Sequence, residues 1–198
     1  MSQSNFAQET GTEKHLIKTY VSDMVALFQH LNAPIDAQLK GPDAAKFPQA
    51  MATLQRVKSV TAAQHQALDA HLKALGGSGD HAIKSAWASI LGVGAAAVGQ
   101  VRSTKVSKSL RDDYTALGLA AISFTMLHTT ALGLGDQVTA SLAKRGLDDV
   151  APLIVEISKV MPSVVLQELQ DDGENVVISA ADLAKQNTTE SWSAQNTN

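Results

Sequence analysis

From Tyr114 to Gly135 the chain runs YTALGLAAISFTMLHTTALGLG, 22 residues without one formally charged side chain. A segment of that length and polarity is a helix, and a helix apolar on nearly all sides sits either at the centre of a fold or in a lipid bilayer. Ser123, Thr125, His128, Thr129 and Thr130 are a heavy polar load for hydrocarbon, and the remainder is diluted by Ala and Gly. A second uncharged stretch, residues 85–101, is shorter and weakly hydrophobic. The two would form a spanning hairpin across the loop that carries Arg102, Lys105, Lys108 and Arg111, but composition favours a buried core helix, so membrane contact is not expected.

Around this central rod the sequence reads as a series of helices. Thr10 and Glu13 have capping-box spacing, with Thr12 as a rival cap, and Leu16, Ile17, Tyr20, Met24, Leu27, Phe28 and Leu31 then recur at helical spacing. Pro34 is expected to end this helix. A connection over 34–47 leads to a second helix from Pro48 to Leu75, stopped by Gly76 and Gly77. Its inward stripe reads Leu54, Val57, Thr61, Gln64, Leu68, His71 and Leu75.

Asp80 caps a third helix over 81–101, in which Gly92, Gly94 and Gly99 each lower helix propensity by roughly 1 kcal/mol relative to alanine. The fourth begins near Ser107 or Ser109 and ends near Leu134. Asp136 caps a short helix that Gly146 breaks after Arg145, and Asp148 and Asp149 open the last major helix. Pro152 is placed in its first turn, and Pro162 is expected to kink or restart it. The run DDGEN at 171–175 stops it, Ser179 and Asp182 cap one further short helix, and Trp192 docks the tail. No internal repeat is visible. The domain organisation is therefore a flexible segment over 1–12, a helical domain over 13–170 and a tail over 171–198.

Composition agrees with the helical reading. Hydrophobic residues make up 44% of the 198 but aromatics only 4%, so the apolar mass is mostly Ala, Val and Leu, which suits close helix packing better than a β-sandwich. The net charge of −3 with dispersed lysines and arginines lacks the basic footprint of a nucleic-acid partner. With no cysteine, disulfides, thiol catalysis and cysteine zinc sites are excluded. MSQSNFAQETGTEK has neither the basic nor the apolar region of a signal peptide, and cytoplasmic residence is expected.

The segments KTYVSDMVALFQHL at 18–31, SLRDDYTALGLAAISFTMLHTTALGLGD at 109–136 and LDDVAPLIVEISKVMPSVVLQEL at 147–169 resemble the ferritin-like superfamily, in particular its small bacterial stress-associated members. The resemblance covers roughly residues 13–170 and lies in architecture rather than in a signature motif. It implies an all-α, antiparallel ferritin-like four-helix bundle with an extra crossover helix and a short C-terminal helix. It also implies a di-iron or di-manganese centre, held by one Glu from each of two helices and Glu-x-x-His from each of the others. Here the chain departs from the pattern, for no Asp or Glu is followed three residues later by His. On the second helix the inward pair at that spacing is Thr61 and Gln64, and on the last helix Glu156 is followed by Lys159. The expectation is thus a metal-free scaffold with no cofactor and no catalytic residues. It would be non-enzymatic, structural or stress-associated, and homo-oligomeric. The alternatives are a di-metal ferroxidase-type protein, or a bundle that binds haem or a hydrophobic ligand.

The six histidines form no metal-binding spacing, but His71 and His128 fall on or beside core stripes. They are either axial ligands of the haem alternative or buried imidazoles bonded to a nearby hydroxyl or carbonyl, with Thr61, Gln64, Thr125 and Thr129 as candidate partners. Thr61, Gln64 and Thr125 are the expected polar positions of the core. Arg111, Asp112, Asp113 and Tyr114 form a polar cluster at the start of the fourth helix, with Arg111 expected to pair with Asp148 or Asp149. Gly92, Gly94 and Gly99 give the third helix a flat face suited to a crossover or to a subunit interface.

Overall fold

The computed structural model describes residues 3–78 and 105–193, and of residues 3–14 only the backbone. Among them are five α-helices, one 3-10 turn (Ala44–Lys46) and no strand: α1 (Gln3–Leu39), α2 (Pro48–Ala74), α3 (Val106–Gly133), α4 (Gln137–Asp171) and α5 (Ala180–Ser193). The all-α reading holds. The expected helix over 81–101, with Gly92, Gly94 and Gly99, lies outside the described residues.

Three boundaries differ from expectation for physical reasons. α1 starts at Gln3, ahead of the caps placed at Thr10 and Thr12, and it passes through Pro34. A proline inside a helix costs about 3 kcal/mol or more. Beyond Pro34, however, Ile35 is completely buried, Asp36 pairs with Lys58 and Gln38 bonds Asp113, so tertiary contacts hold the last turn. The short helix ending at Arg145 and the last major helix are one rod, since α4 runs unbroken through Gly146, Pro152 and Pro162. Its buried positions Thr139, Ala143, Gly146, Val150, Leu153, Ile157, Val160, Val164 and Glu168 keep helical spacing throughout. Both prolines stand off that stripe. On α2, Leu72 rather than His71 or Leu75 is the fully buried residue of the last turns.

Helix ends follow the sequence more closely. Gly76 and Gly135 adopt φ of 71° and 72°, the left-handed conformation that a Cβ disfavours. There Gly77 N–H bonds Leu72 O and Asp136 N–H bonds Ala131 O, closing the last turns of α2 and α3. Asp136 then caps α4 by accepting the Thr139 N–H at 2.9 Å. Asp136→Ala should lower stability by about 1–2 kcal/mol through loss of this cap, measurable by urea denaturation. The cap at the other end of the fold comes from a distant residue: Glu168 near the end of α4 accepts the backbone N–H of Ser107 at 2.8 Å and its hydroxyl at 2.5 Å. A buried carboxylate thereby satisfies the first turn of α3 and complements its dipole.

Among the four long helices, the main contacts are those of α1 with α2 and α3 and of α4 with α2 and α3. Directions can be read from the cross-links. Lys58 pairs with Asp36 while Lys18 reaches Gly76 O, so α1 and α2 are antiparallel. Arg56 meets Glu156 and His71 meets Thr139, which makes α2 and α4 antiparallel. Ser107 meets Glu168 and His128 meets Ala140, so α3 and α4 are antiparallel as well. It follows that α2 and α3 point the same way. One core joins all four helices, with Phe28, Phe124, Leu54, Leu68, Leu117 and Ile157 among its fully buried side chains. Phe28 and Phe124 lie 5.6 Å apart at 47°. α5 packs on α4, and Trp192 meets Tyr114 edge-to-face at 6.4 Å, as expected of the tail.

Candidate functional site

The polar side chains of the interior lie mostly along the seams between helices, each bonded to a residue of another helix. On the α1–α2 seam, Thr61 is wholly buried and its hydroxyl lies 2.6 Å from Asn32 Oδ1 and 2.9 Å from Val57 O. Asn32 in turn donates to Phe28 O at 2.9 Å. On the α2–α4 seam, Gln64 donates to Asp149 Oδ2 at 2.7 Å. Toward its N-terminal end Thr53 and Arg56 both reach Glu156, at 3.3 and 3.0 Å. Thr61 and Gln64 therefore occupy the core as expected, but they face different helices and hold different partners.

His71 closes the other end of that seam. Its Nε2 is 2.8 Å from Thr139 Oγ1, and Thr139 Oγ1 is 2.7 Å from Asp136 Oδ2. Asp136 is a carboxylate, so the single Thr139 proton goes to it and Thr139 must accept from His71; the neutral imidazole carries its proton on Nε2. Burial holds His71 below the ordinary histidine pKa, and the Asp136 charge offsets only part of that effect. For Asp136 burial acts upward, but the N–H and hydroxyl of Thr139, the His71 imidazole and the Val138 N–H together outweigh it and hold the carboxyl below its usual range. Because the folded His71 pKa is depressed, the unfolded state binds its proton first. Stability from this group is complete above about pH 6.5 and declines as pH falls below that value. His71→Gln should remove this component of the pH dependence in denaturant titrations between pH 5 and 7.

His128 is half-buried, with Nδ1 2.8 Å from Ala140 O, the carbonyl of a residue at the start of α4. The two histidines thus bond separate groups of α4, a hydroxyl and a carbonyl. Their partners are Thr139 and Ala140, and none of Thr61, Gln64, Thr125 and Thr129 serves either of them. Thr125 is a correction: it is exposed, on the side of α3 away from the core, and its hydroxyl turns back to Ala121 O at 3.1 Å. Arg111 is another, since it pairs with its neighbour Asp112 at 2.7 Å while Asp148 pairs with Lys144. Asp149, the other expected partner, accepts from Gln64.

The most unusual interior group belongs to the polar cluster near the start of α3. Asp113 is 4% exposed, and its Oδ1 accepts from Gln38 Nε2 at 3.2 Å. Asp113 Oδ2 and Gln38 Oε1 are buried and meet no donor among the described residues. Burial lifts the Asp113 carboxyl to about pH 7; the Gln38 hydrogen bond opposes the rise and the Asp112 charge adds to it. Its place in the sequence marked it, for Leu110, Asp113, Leu117, Ala120, Phe124, Leu127 and Ala131 form the buried stripe of α3.

Among the described residues no three His, Asp or Glu side chains come close enough together to share a metal ion. Thr139 stands beside the His71 imidazole, but its proton goes to Asp136 and it accepts from His71, the reverse of a nucleophile–base pair; the buried hydroxyls of Thr53 and Thr61 lie against Glu156 and Asn32. What the interior can do chemically is hold helices in register, through hydrogen bonds that a one-turn slip would leave unmade. In comparisons with known proteins the chain matches no family model, no curated protein and no solved structure.

Proposed function

We propose that this chain is a non-enzymatic scaffold of ferritin-like architecture, a four-helix bundle whose interior carries interhelical hydrogen bonds where such proteins carry a di-metal centre. The observation that supports it best is the self-sufficiency of the seams: Thr61–Asn32, Gln64–Asp149, Thr53–Glu156 and His71–Thr139–Asp136 are spent on one another. The parallel run of α2 and α3 favours the same architecture, because it requires a crossover between the second and third rods. A cytoplasmic, stress-associated role is the part of the proposal that rests on the sequence resemblance alone.

The scaffold works as a homo-oligomer in this reading. Val177, Ile178 and Leu183, at the turn into α5, each expose more than half of their surface, a local concentration of apolar area that a second copy would cover. Metal analysis and an absorption spectrum of the native protein test the proposal. Protein without stoichiometric metal or visible absorbance is expected; two iron or manganese ions per chain, or a Soret band, would overturn it. Light scattering after gel filtration tests assembly, and Val177→Ser with Ile178→Ser should shift the protein toward monomer without loss of helix. A monomer before substitution would sink the oligomer reading.

A further inference from the structure

Gln38 belongs to the single turn of α1 that follows Pro34. Proline supplies no N–H to the helix ladder, so residues 35–39 depend on what they touch. Ile35 is completely buried, Leu39 packs partly against the core, and Asp36 pairs with Lys58. That ion pair is open to water on both sides, and such pairs contribute little. The turn then ends on 3-10-type bonds, Lys40 N–H to Ala37 O at 3.3 Å and Gly41 N–H to Gln38 O at 3.1 Å. The remaining polar hold is Gln38 on Asp113, at 3.2 Å, the long end of the hydrogen-bond range.

Asp113 itself is fixed, for it lies on the buried stripe of α3 between Leu110 and Leu117, both completely buried. The ion pairs at this end of the bundle, Lys46–Asp43, Lys58–Asp36, Lys105–Asp172 and Arg111–Asp112, all leave it out. Glu168 of α4 is spent on Ser107, Asp171 acts on Lys46, and Lys40, just past α1, acts on Asp36. Asp112 is the neighbouring charge that acts on Asp113, and it repels the ionised form. One proton settles the contact. On Asp113 Oδ2 it turns an unmatched acceptor into a donor, and Gln38 Oε1 is the unmatched acceptor left for it. Without that proton a buried carboxylate keeps one long hydrogen bond and needs water. Water enters at least cost where the wall is weakest, at the turn beyond Pro34.

We propose that Asp113 and Gln38 form a proton-operated latch: the neutral acid holds residues 35–39 of α1 against α3, and the carboxylate lets them go. Burial lifts the Asp113 carboxyl from 3.8 to about 7 while the turn is closed. The closed turn therefore keeps a proton that the open one gives up. The latch is tightest below about pH 4, loosens as pH rises and is weakest above about pH 7. Opening uncovers Leu39, so the apolar surface offered at this end of the bundle grows with pH. The latch involves α1 and α3 alone and does not depend on the scaffold reading.

Hydrogen exchange of the native full-length chain, corrected for the intrinsic rate at each pH, tests the latch. Protection of the amides of residues 36–39 should fall by roughly tenfold to a hundredfold between pH 5 and 8. Low urea should not steepen that fall, because a local opening exposes little surface. Asp113→Asn carries its own donor and should hold these amides at their low-pH protection throughout. Infrared difference spectra give a second readout. The wild type should show a protonated-carboxyl band that bleaches over the same pH range and is missing from Asp113→Asn. Protection of residues 36–39 that ignores pH, or that falls equally in Asp113→Asn, would overturn the proposal. So would a fall that urea steepens and that the α2 amides share, since that is global unfolding. The lack of any carboxyl band that depends on Asp113 would overturn it too, by showing the group ionised throughout.

Discussion

Gly146→Ala should destabilise the protein by roughly 1–2 kcal/mol, although replacing a helical glycine by alanine ordinarily stabilises by up to about 1 kcal/mol. The sign is set by one neighbour. A Cβ on Gly146 would stand 2.2 Å from both Cε1 and Cζ of Phe124, well inside the van der Waals contact distance of non-bonded carbons. The ring would have to withdraw by about 1 Å, in an interior packed to crystal density. It has nowhere to go, because Phe124 is completely buried and leans on Phe28 at 5.6 Å. Overpacking of this kind costs about 1–3 kcal/mol, which exceeds the propensity gain. Urea denaturation of the single variants and of Gly146→Ala with Phe124→Leu would check the mechanism. The smaller side chain removes the clash, so the two changes should couple favourably by more than about 0.5 kcal/mol. Additive losses would show that Gly146 matters for some other reason than the ring above it.

The same glycine shows where the sequence could be read and where it could not. Taken locally, Gly146 is a helix breaker and Pro152 a first-turn residue, and the two together suggest a boundary. Taken as pattern, the α4 stripe steps by three and four residues from Thr139 to Glu168 without interruption, with Gly146 on it and both prolines off it. Burial of one continuous face outweighs the local signals, as it does at Pro34, where Ile35 carries the α1 stripe past the proline. Caps and stops that depend only on neighbouring residues, such as Asp136 and Gly76, were fully legible.

The interior polar groups follow a similar rule. Thr61 and Gln64 are legible as core residues because they lie on the α2 stripe, whereas Thr125 lies beside the α3 stripe, on the outside, and only its chemistry pointed inward. Asp113 and Glu168 occupy stripe positions and were legible by the same test. Charged side chains are seldom buried, yet both of these are. The partners are another matter. That Gln64 meets Asp149, or His71 meets Thr139, depends on the axial register of two helices, and that register is set by packing across the whole core rather than by either helix alone.

Asp113→Asn should stabilise the protein above neutral pH, by up to about 4 kcal/mol, and should do little below about pH 4. Burial raises the Asp113 carboxyl from 3.8 to about 7 in the folded chain. Between these values the folded state holds a proton that the unfolded state has released. Stability is then greatest at low pH, falls as pH rises from about 4 to about 7, and is level above that. A shift of this size corresponds to the figure of about 4 kcal/mol, which is a ceiling because the buried site can relax or admit water. Asparagine removes the titration and also resolves the geometry. Its Oδ1 still accepts from Gln38 Nε2, while its Nδ2, in place of Asp113 Oδ2, can donate to the otherwise unmatched Gln38 Oε1. Subtracting the denaturation free energies of the wild type from those of the variant between pH 4 and 8 isolates this one carboxyl from every other titrating group. The difference should grow with pH and level off near 7. A constant difference would mean that Asp113 is ionised throughout, with a donor from outside the described residues already satisfying Oδ2.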